Sequence, residues 1–122
     1  HQEDPASSSP TVLERARPHL RRAENAILEP VPKRFFRALE QALLTSFEPH
    51  LEHPPDGLSQ RALRTKLERT ALHPELIEHV LELLGACDRA QYSPETPSRE
   101  DKEQMLYLVR SCIEQMPSPR HH

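Results

Sequence analysis

Residues Glu78–Pro94 read EHVLELLGACDRAQYSP, and this stretch decides the fold class. Val80, Leu81, Leu84, Cys87 and Ala90 return at steps of three and four, the period of one face of an α-helix. Leu76 and Ile77 extend the stripe upstream. Pro74 suits the first position of a helix, where its missing N–H would have no partner in any case, and Glu75 complements the positive helix end. The pattern predicts a helix over Pro74–Gln91, stopped by the Tyr92–Ser93–Pro94 run. It is the most apolar segment of the chain, and it is expected to be central.

Prolines mark the other boundaries, because proline removes a backbone donor and clashes with the preceding turn. The chain has 13 of them, and the segments between carry helical apolar periods. A first helix is expected over Val12–Leu28, with Leu13, Ala16, Leu20, Ala23 and Ile27 on one face. Pro18 interrupts that segment, so its regular part is expected to begin there. A second helix is expected over Pro32–Phe47, with Phe36, Leu39, Leu43 and Phe47 in a stripe that Phe35 and Ala42 widen, and Pro49 closing it. His50–Gly57 is a loop, since Pro54, Pro55, Asp56 and Gly57 are turn formers.

A third helix follows over Ser59–Thr70. Ser59 is a good N-cap, Leu58 is placed to staple onto Leu63, and Ala62, Leu63 and Leu67 face inward. A fifth spans Ser98–Met116. Ser98 and Asp101 resemble a capping box with Asp in place of Glu, and Met105, Leu106, Leu108, Val109, Cys112, Ile113 and Met116 form its inner face. No segment alternates as a strand does. The chain therefore reads as all-α, a compact bundle of about five helices, with residues 1–11 a linker, 12–116 the helical domain and 117–122 a disordered tail or tag remnant.

Composition narrows the function. Hydrophobic residues are 35%, charged residues 29% and aromatic residues 4%, with no Trp, so a small core must rest on Leu, Ile, Val and Ala. A domain of this size buries roughly 60–70% of its unfolded surface, and marginal stability is expected. The formal net charge of −3 does not favour nucleic acid, which needs a basic stripe. No apolar run has the length of a membrane span, and no signal peptide is visible. A chain that begins at His1 is expected to be part of something longer.

Catalytic and metal chemistry find little support. His50 and His53 lie in the proline-rich loop without a matching second pair, and His73 and His79 do not complete a zinc spacing. Cys87 and Cys112 lack metal-ligand spacing and are expected as reduced thiols, with a bridge between their helices left open. Cys87 sits among Gly85, Ala86, Asp88 and Arg89 in mid-helix and reads as a small core residue rather than a nucleophile. Glu78 and Glu82 read as a solvated helix face. The third and fourth helices could form a helix-turn-helix. However, the basic residues Arg61, Arg64, Lys66 and Arg69 lie on the first of the pair, while the would-be reading helix carries Glu75, Glu78 and Glu82. No catalytic residue, metal ligand or cofactor is expected.

Arg15, Arg17, Arg21 and Arg22 form a local basic cluster. One reading is a solvated helix face. The other is a juxtamembrane segment whose positive charge marks the cytoplasmic side and meets anionic headgroups. Tyr92, at the end of the most apolar helix, is expected to bury its ring and bond a backbone group through its hydroxyl, locking the next turn; the alternative is an exposed anchor for a partner.

Across about Arg15–Met116 the order of features resembles the cytoplasmic tail of the BatD family of bacterial aerotolerance proteins. The segment RARPHLRRAENAI is followed by an aromatic-led helix with Phe35, Phe36, Leu39, Ala42, Leu43 and Phe47. A leucine helix with Leu58, Ser59, Leu63 and Leu67 comes next. A signature of Leu83, Leu84, Cys87, Asp88, Ala90, Tyr92 and Pro94 precedes the closing helix. Thr45 and Ser46 ahead of Phe47, the Pro54–Pro55 loop and Pro18 depart from the family pattern.

The resemblance implies a parent protein with a signal sequence, extracytoplasmic β-sandwich domains and one membrane span, with this tail on the cytoplasmic side of the bacterial inner membrane. It implies work beside a MoxR-type AAA+ ATPase and von Willebrand factor A-domain proteins in oxygen tolerance or envelope stress. The tail would be a docking or adaptor module without catalytic residues, with Phe36, Leu84, Cys87, Asp88, Tyr92 and Pro94 as its structural signature. The competing reading is a small cytosolic regulator that binds nucleic acid through the third helix and the arginine cluster.

Overall fold

The computed structural model describes residues 11–55 and 57–117. Five α-helices, with no strand among the described residues, follow in the order α1 (Val12–Ala26), α2 (Lys33–Phe47), α3 (Gln60–Glu68), α4 (Pro74–Gln91) and α5 (Arg99–Glu114). A 3-10 turn, Glu48–His50, extends α2 through Pro49, so the chain keeps winding where a stop was expected. The predicted bounds of α4 hold to the residue, and those of the other helices shorten by one to two residues at an end.

Local chemistry sets most starts. The hydroxyls of Ser59 and Ser98 accept from the backbone N–H of Ala62 and Asp101, and Ser98 with Asp101 completes a capping box. Thr11 forms a second box with Glu14, which places Thr11 in the fold and not in a linker. Residues 1–10 and 118–122, expected as linker and tail, lie outside the described residues. His73 caps α4, its Nδ1 accepting from the Glu75 N–H at 3.1 Å.

Pro18 sits inside α1, which runs unbroken from Val12. This corrects the expectation of a start at Pro18. The Thr11 box supplies the nucleus upstream, and Val12 and Ala16 are buried against the core, so the first turn is held despite the lost bond to the Glu14 carbonyl.

A second difference concerns the centre. α2 packs against α1, α4 and α5, and α4 against α2, α3 and α5, so the central place expected of α4 is shared with α2, which has the more extensive contacts. The reason is the width of its apolar surface: Phe35, Phe36, Ala38, Leu39, Ala42, Leu43 and Phe47 are all buried. Phe35 and Phe36 meet edge to face with centroids 4.9 Å apart. α4, the most apolar helix, flanks this hub through Leu76, Ile77, Val80, Leu81, Leu83, Leu84 and Cys87. Ala62, Ala90, Met105, Leu106 and Leu108, expected in the core, are half-buried at its margin.

Ion pairs and hydrogen bonds give the directions. Arg15 lies 3.8 Å from Glu48 and Arg34 lies 3.7 Å from Glu29, so α1 and α2 are antiparallel. Gln60 donates to the Leu81 carbonyl at 2.8 Å and Arg64 pairs with Glu78, so α3 runs antiparallel to α4. Arg110 meets Glu24 at 2.7 Å while Lys102 reaches the end of α1, so α5 opposes α1.

Lys102 is the feature that periodicity missed. It is only 4% exposed, and its Nζ donates to the carbonyls of Ile27 at 3.0 Å and Glu29 at 3.4 Å. These carbonyls follow the end of α1, where no basic residue lies in the last turn. The ammonium satisfies them, and its position at the negative helix end is favourable. Ser46, also buried, donates to the Leu43 carbonyl at 2.6 Å.

Two stability outcomes follow from this packing. Pro18→Ala restores a helix donor at an exposed position and should raise stability by about 1–3 kcal/mol in urea unfolding. Lys102→Met keeps the apolar stem but leaves two carbonyls without their cation, and should lower it by about 1.5–3 kcal/mol in the same measurement.

Candidate interaction site

A cleft of about 540 Å³ opens between α2, the loop before α3, and α4. Leu44, Leu58, Leu63 and Leu84 line it beside the polar side chains of Gln41, Ser59 and Gln60, and Glu40, Asp88 and Arg89 add charge. Gly57 has φ +79°, a left-handed value that suits glycine, and closes the turn in which the Leu58 N–H donates to the Pro55 carbonyl at 3.3 Å. That turn brings Leu58 back over the core.

Gly85 gives the cleft its shape. It stands in mid-helix, where glycine costs stability relative to alanine. A Cβ there would meet the Gln60 side-chain nitrogen at 3.0 Å and an Arg89 guanidinium nitrogen at 3.3 Å. The missing side chain admits Gln60, whose amide reaches the Leu81 carbonyl and fixes the start of α3 on α4. One turn along, Arg64 and Glu78 pair at the surface, and this hydrogen bond with Arg64 lowers the Glu78 carboxyl pKa. An exposed pair of this kind sets orientation more than stability. On the opposite wall Gln91 donates to Glu40 at 2.9 Å.

The signature residues separate into three places. Leu84 and Asp88 line this cleft with Gly85. Phe36 and Cys87 are buried in the core. Tyr92 and Pro94 are exposed beyond the end of α4. Tyr92 is 67% exposed, which corrects the expectation of a buried ring. α4 ends at Gln91, and the ring stands outside the core, with the Lys33 ammonium 5.5 Å from its centroid. A cation over an aromatic face is attractive.

Arg15, Arg17, Arg21 and Arg22 are all exposed. They do not act as one block: Arg15 reaches Glu48, Arg22 donates to His19 Nδ1, and Arg17 and Arg21 share another side of α1. Partial burial, and then the neighbouring Arg22, lower the His19 pKa, which favours the neutral acceptor ring. His50 Nε2 lies 2.8 Å from the Pro117 carbonyl and ties the chain after α5 to the 3-10 turn, so Pro117, assigned by the sequence to the tail, touches the fold. Among the described residues, no three His, Cys, Asp or Glu side chains gather as a metal site.

Cys87 and Cys112 are free thiols, each fully buried. Burial, aided at Cys87 by the nearby Glu40 charge, pushes their pKa values up to about 12 and about 11. A nucleophile needs the thiolate, which this environment suppresses.

The comparisons add no relative. A scan against family models finds none that matches, and searches of curated proteins and of solved structures return no match.

The thiols give a pH prediction. The folded pKa values are raised, so their contribution to stability is present below the unfolded thiol value near 8.5–9 and is lost as pH rises through the folded values. Urea unfolding should show stability falling from about pH 9 upward, and falling less in the Cys87→Ala/Cys112→Ala variant. A disulfide-exchange reagent at pH 8 should label both thiols only after denaturation.

Proposed function

We propose that the chain is a non-catalytic docking domain, similar in role to the cytoplasmic tail of BatD-type proteins, and that its partner contact lies in the cleft between α2, α3 and α4. The observation that carries this reading is the meeting of Leu84, Gly85 and Asp88 at that cleft. These residues belong to the segment on which the BatD resemblance rests most. A cleft that mixes leucines with amide, hydroxyl and charged side chains suits a protein segment that makes a small apolar contact among polar ones. Arg89, Asp88 and Glu40 offer charges of both signs, which favour one register of the incoming segment over others.

On this reading the partner is a MoxR-type AAA+ ATPase or a von Willebrand factor A-domain protein, and the domain sits on the cytoplasmic side of the bacterial inner membrane as the tail of a single-span protein in oxygen tolerance or envelope stress. The buried apolar stripes hold the bundle together. Recognition falls to the cleft and the outer helix faces. The raised thiol pKa values support a role without covalent catalysis.

The test is direct binding of the 122-residue chain to a purified MoxR-type ATPase and a purified A-domain protein from the same genome. Binding to one of them should weaken at least about tenfold on Asp88→Arg or Arg89→Glu, since both recharge the edge of the cleft at exposed positions. Binding to neither protein, or unchanged binding by both variants, would contradict the reading.

A further inference from the structure

Charge is unevenly divided over this molecule. The net charge is −3, yet residues 12–47 carry seven basic against four acidic side chains. Four of the seven, Arg22, Lys33, Arg34 and Arg37, lie toward the α1–α2 connection, together with Glu24 and Glu29 and with the acidic start of α5, Glu100 and Asp101, which Lys102 brings to that end. There a cleft of about 380 Å³ is lined by three arginines from two helices, Arg22, Arg34 and Arg37, with Asn25, Gln41 and one carboxylate, Glu29. Glu29 lies 3.7 Å from Arg34; among the described residues Arg37 makes no ion pair. Lys33, Arg34 and Arg37 crowd the opening turns of α2, which has no acidic residue in its first turn and no side-chain cap. Positive charge at a positive helix end is unfavourable; Arg34 is offset by Glu29 and Lys33 lies over the Tyr92 ring.

The connection between α1 and α2 borders the same cleft, with Glu29 before it and Arg34 after it. It holds two of the four large exposed apolar side chains of the described residues, Leu28 at 68% and Val31 at 62%. A third, Tyr92, is brought to this end by Lys33. Aliphatic side chains on a loop tip, a tyrosine beside them and guanidiniums around them match the chemistry of a membrane interface. There apolar groups enter the headgroup boundary, tyrosine rings sit at headgroup level and arginines meet phosphates.

We infer that this end of the hairpin is a membrane-contact face, with Leu28 and Val31 entering an anionic bilayer, Tyr92 at its edge and the cleft of Arg22, Arg34 and Arg37 taking a lipid phosphate. The face differs from the row Arg15, Arg17, Arg21 and Arg22 named from the sequence, because only Arg22 of that row reaches the cleft. It does not depend on the protein partner proposed above, whose cleft is built with α3 and α4. The three guanidiniums of the cleft select an anionic group, and the exposed aliphatic pair selects a bilayer over a soluble anion.

The test is flotation of the 122-residue chain with vesicles of phosphatidylcholine, alone or mixed with phosphatidylglycerol, at low salt. Binding is expected to the mixed vesicles and to weaken as salt rises. Arg34→Gln/Arg37→Gln should weaken it by about 30-fold, at about fivefold per basic residue near the surface, and Leu28→Ser/Val31→Ser should weaken it by about tenfold or more. Arg61→Gln/Arg69→Gln removes the same charge from α3 and should change binding by less than about twofold. Circular dichroism checks that each exposed variant keeps its helices. No binding to either vesicle, equal binding to both, an equal loss with the α3 variant, or full displacement by millimolar inorganic phosphate would overturn the membrane face.

Discussion

The seam between α1 and α2 is the constraint on which the rest of the molecule depends. Ala16, Ala23 and Ala26 are buried on α1, and Ala38 and Ala42 on α2. Side chains this small allow two helix backbones to approach closely, and a seam packed to the density of protein interiors leaves little room for adjustment. The hairpin also closes with only six residues between its helices and is pinned near both ends, by Arg15 with Glu48 and by Arg34 with Glu29. α2 also packs against α4 and α5, and Phe35, Leu39, Leu43 and Phe47 are fully buried among these contacts. Fully burying side chains of this kind contributes about 1.5–3 kcal/mol each.

The functional surfaces inherit their positions from that seam. α4 lies against α2, α3 lies against α4, and the cleft with Leu84, Gly85 and Asp88 is the gap left where those two contacts meet. Gly85 gives up helix propensity so that Gln60 can dock, a local sacrifice of the kind concentrated at functional sites. At the other end, Lys102 reaches across from α5 to close the carbonyls beyond α1. The connection beside it is therefore anchored at its start, while Leu28 and Val31 remain outside.

What could be read in advance was whatever local chemistry decides. The bounds of α4, the caps at Ser59 and Ser98, and the all-helical class rest on periodicity, proline and hydroxyl placement within a few residues. The Thr11–Glu14 box was equally local, and the S/T-x-x-E signal was present, but the serine-rich run before it drew Thr11 into the linker. Pro18 misled because a local penalty was weighed without the packing of Val12 and Ala16 that outweighs it. That α2 shares the centre with α4 was illegible for a different reason. Mean apolarity favours α4, but the number of faces a helix buries depends on its neighbours, and α2 buries more around its circumference. Lys102 and Tyr92 were illegible because their environments come from segments distant in sequence: carbonyls some 75 residues away for the one, and the start of α2 for the other. In the cleft, Leu84 and Asp88 were already singled out; Gly85 was visible as an interior helix glycine, but its role needed Gln60 opposite.

Native-state hydrogen exchange of the 122-residue chain tests the seam most directly. If α2 is the hub, amides of residues 39–43 exchange only through global unfolding and are the slowest in the molecule, with residues 20–23 of α1 close behind and α3 opening at lower free energy. Amides of α2 that exchange through a partial opening while α4 stays protected would contradict the account, since the bundle would then be organised around α4.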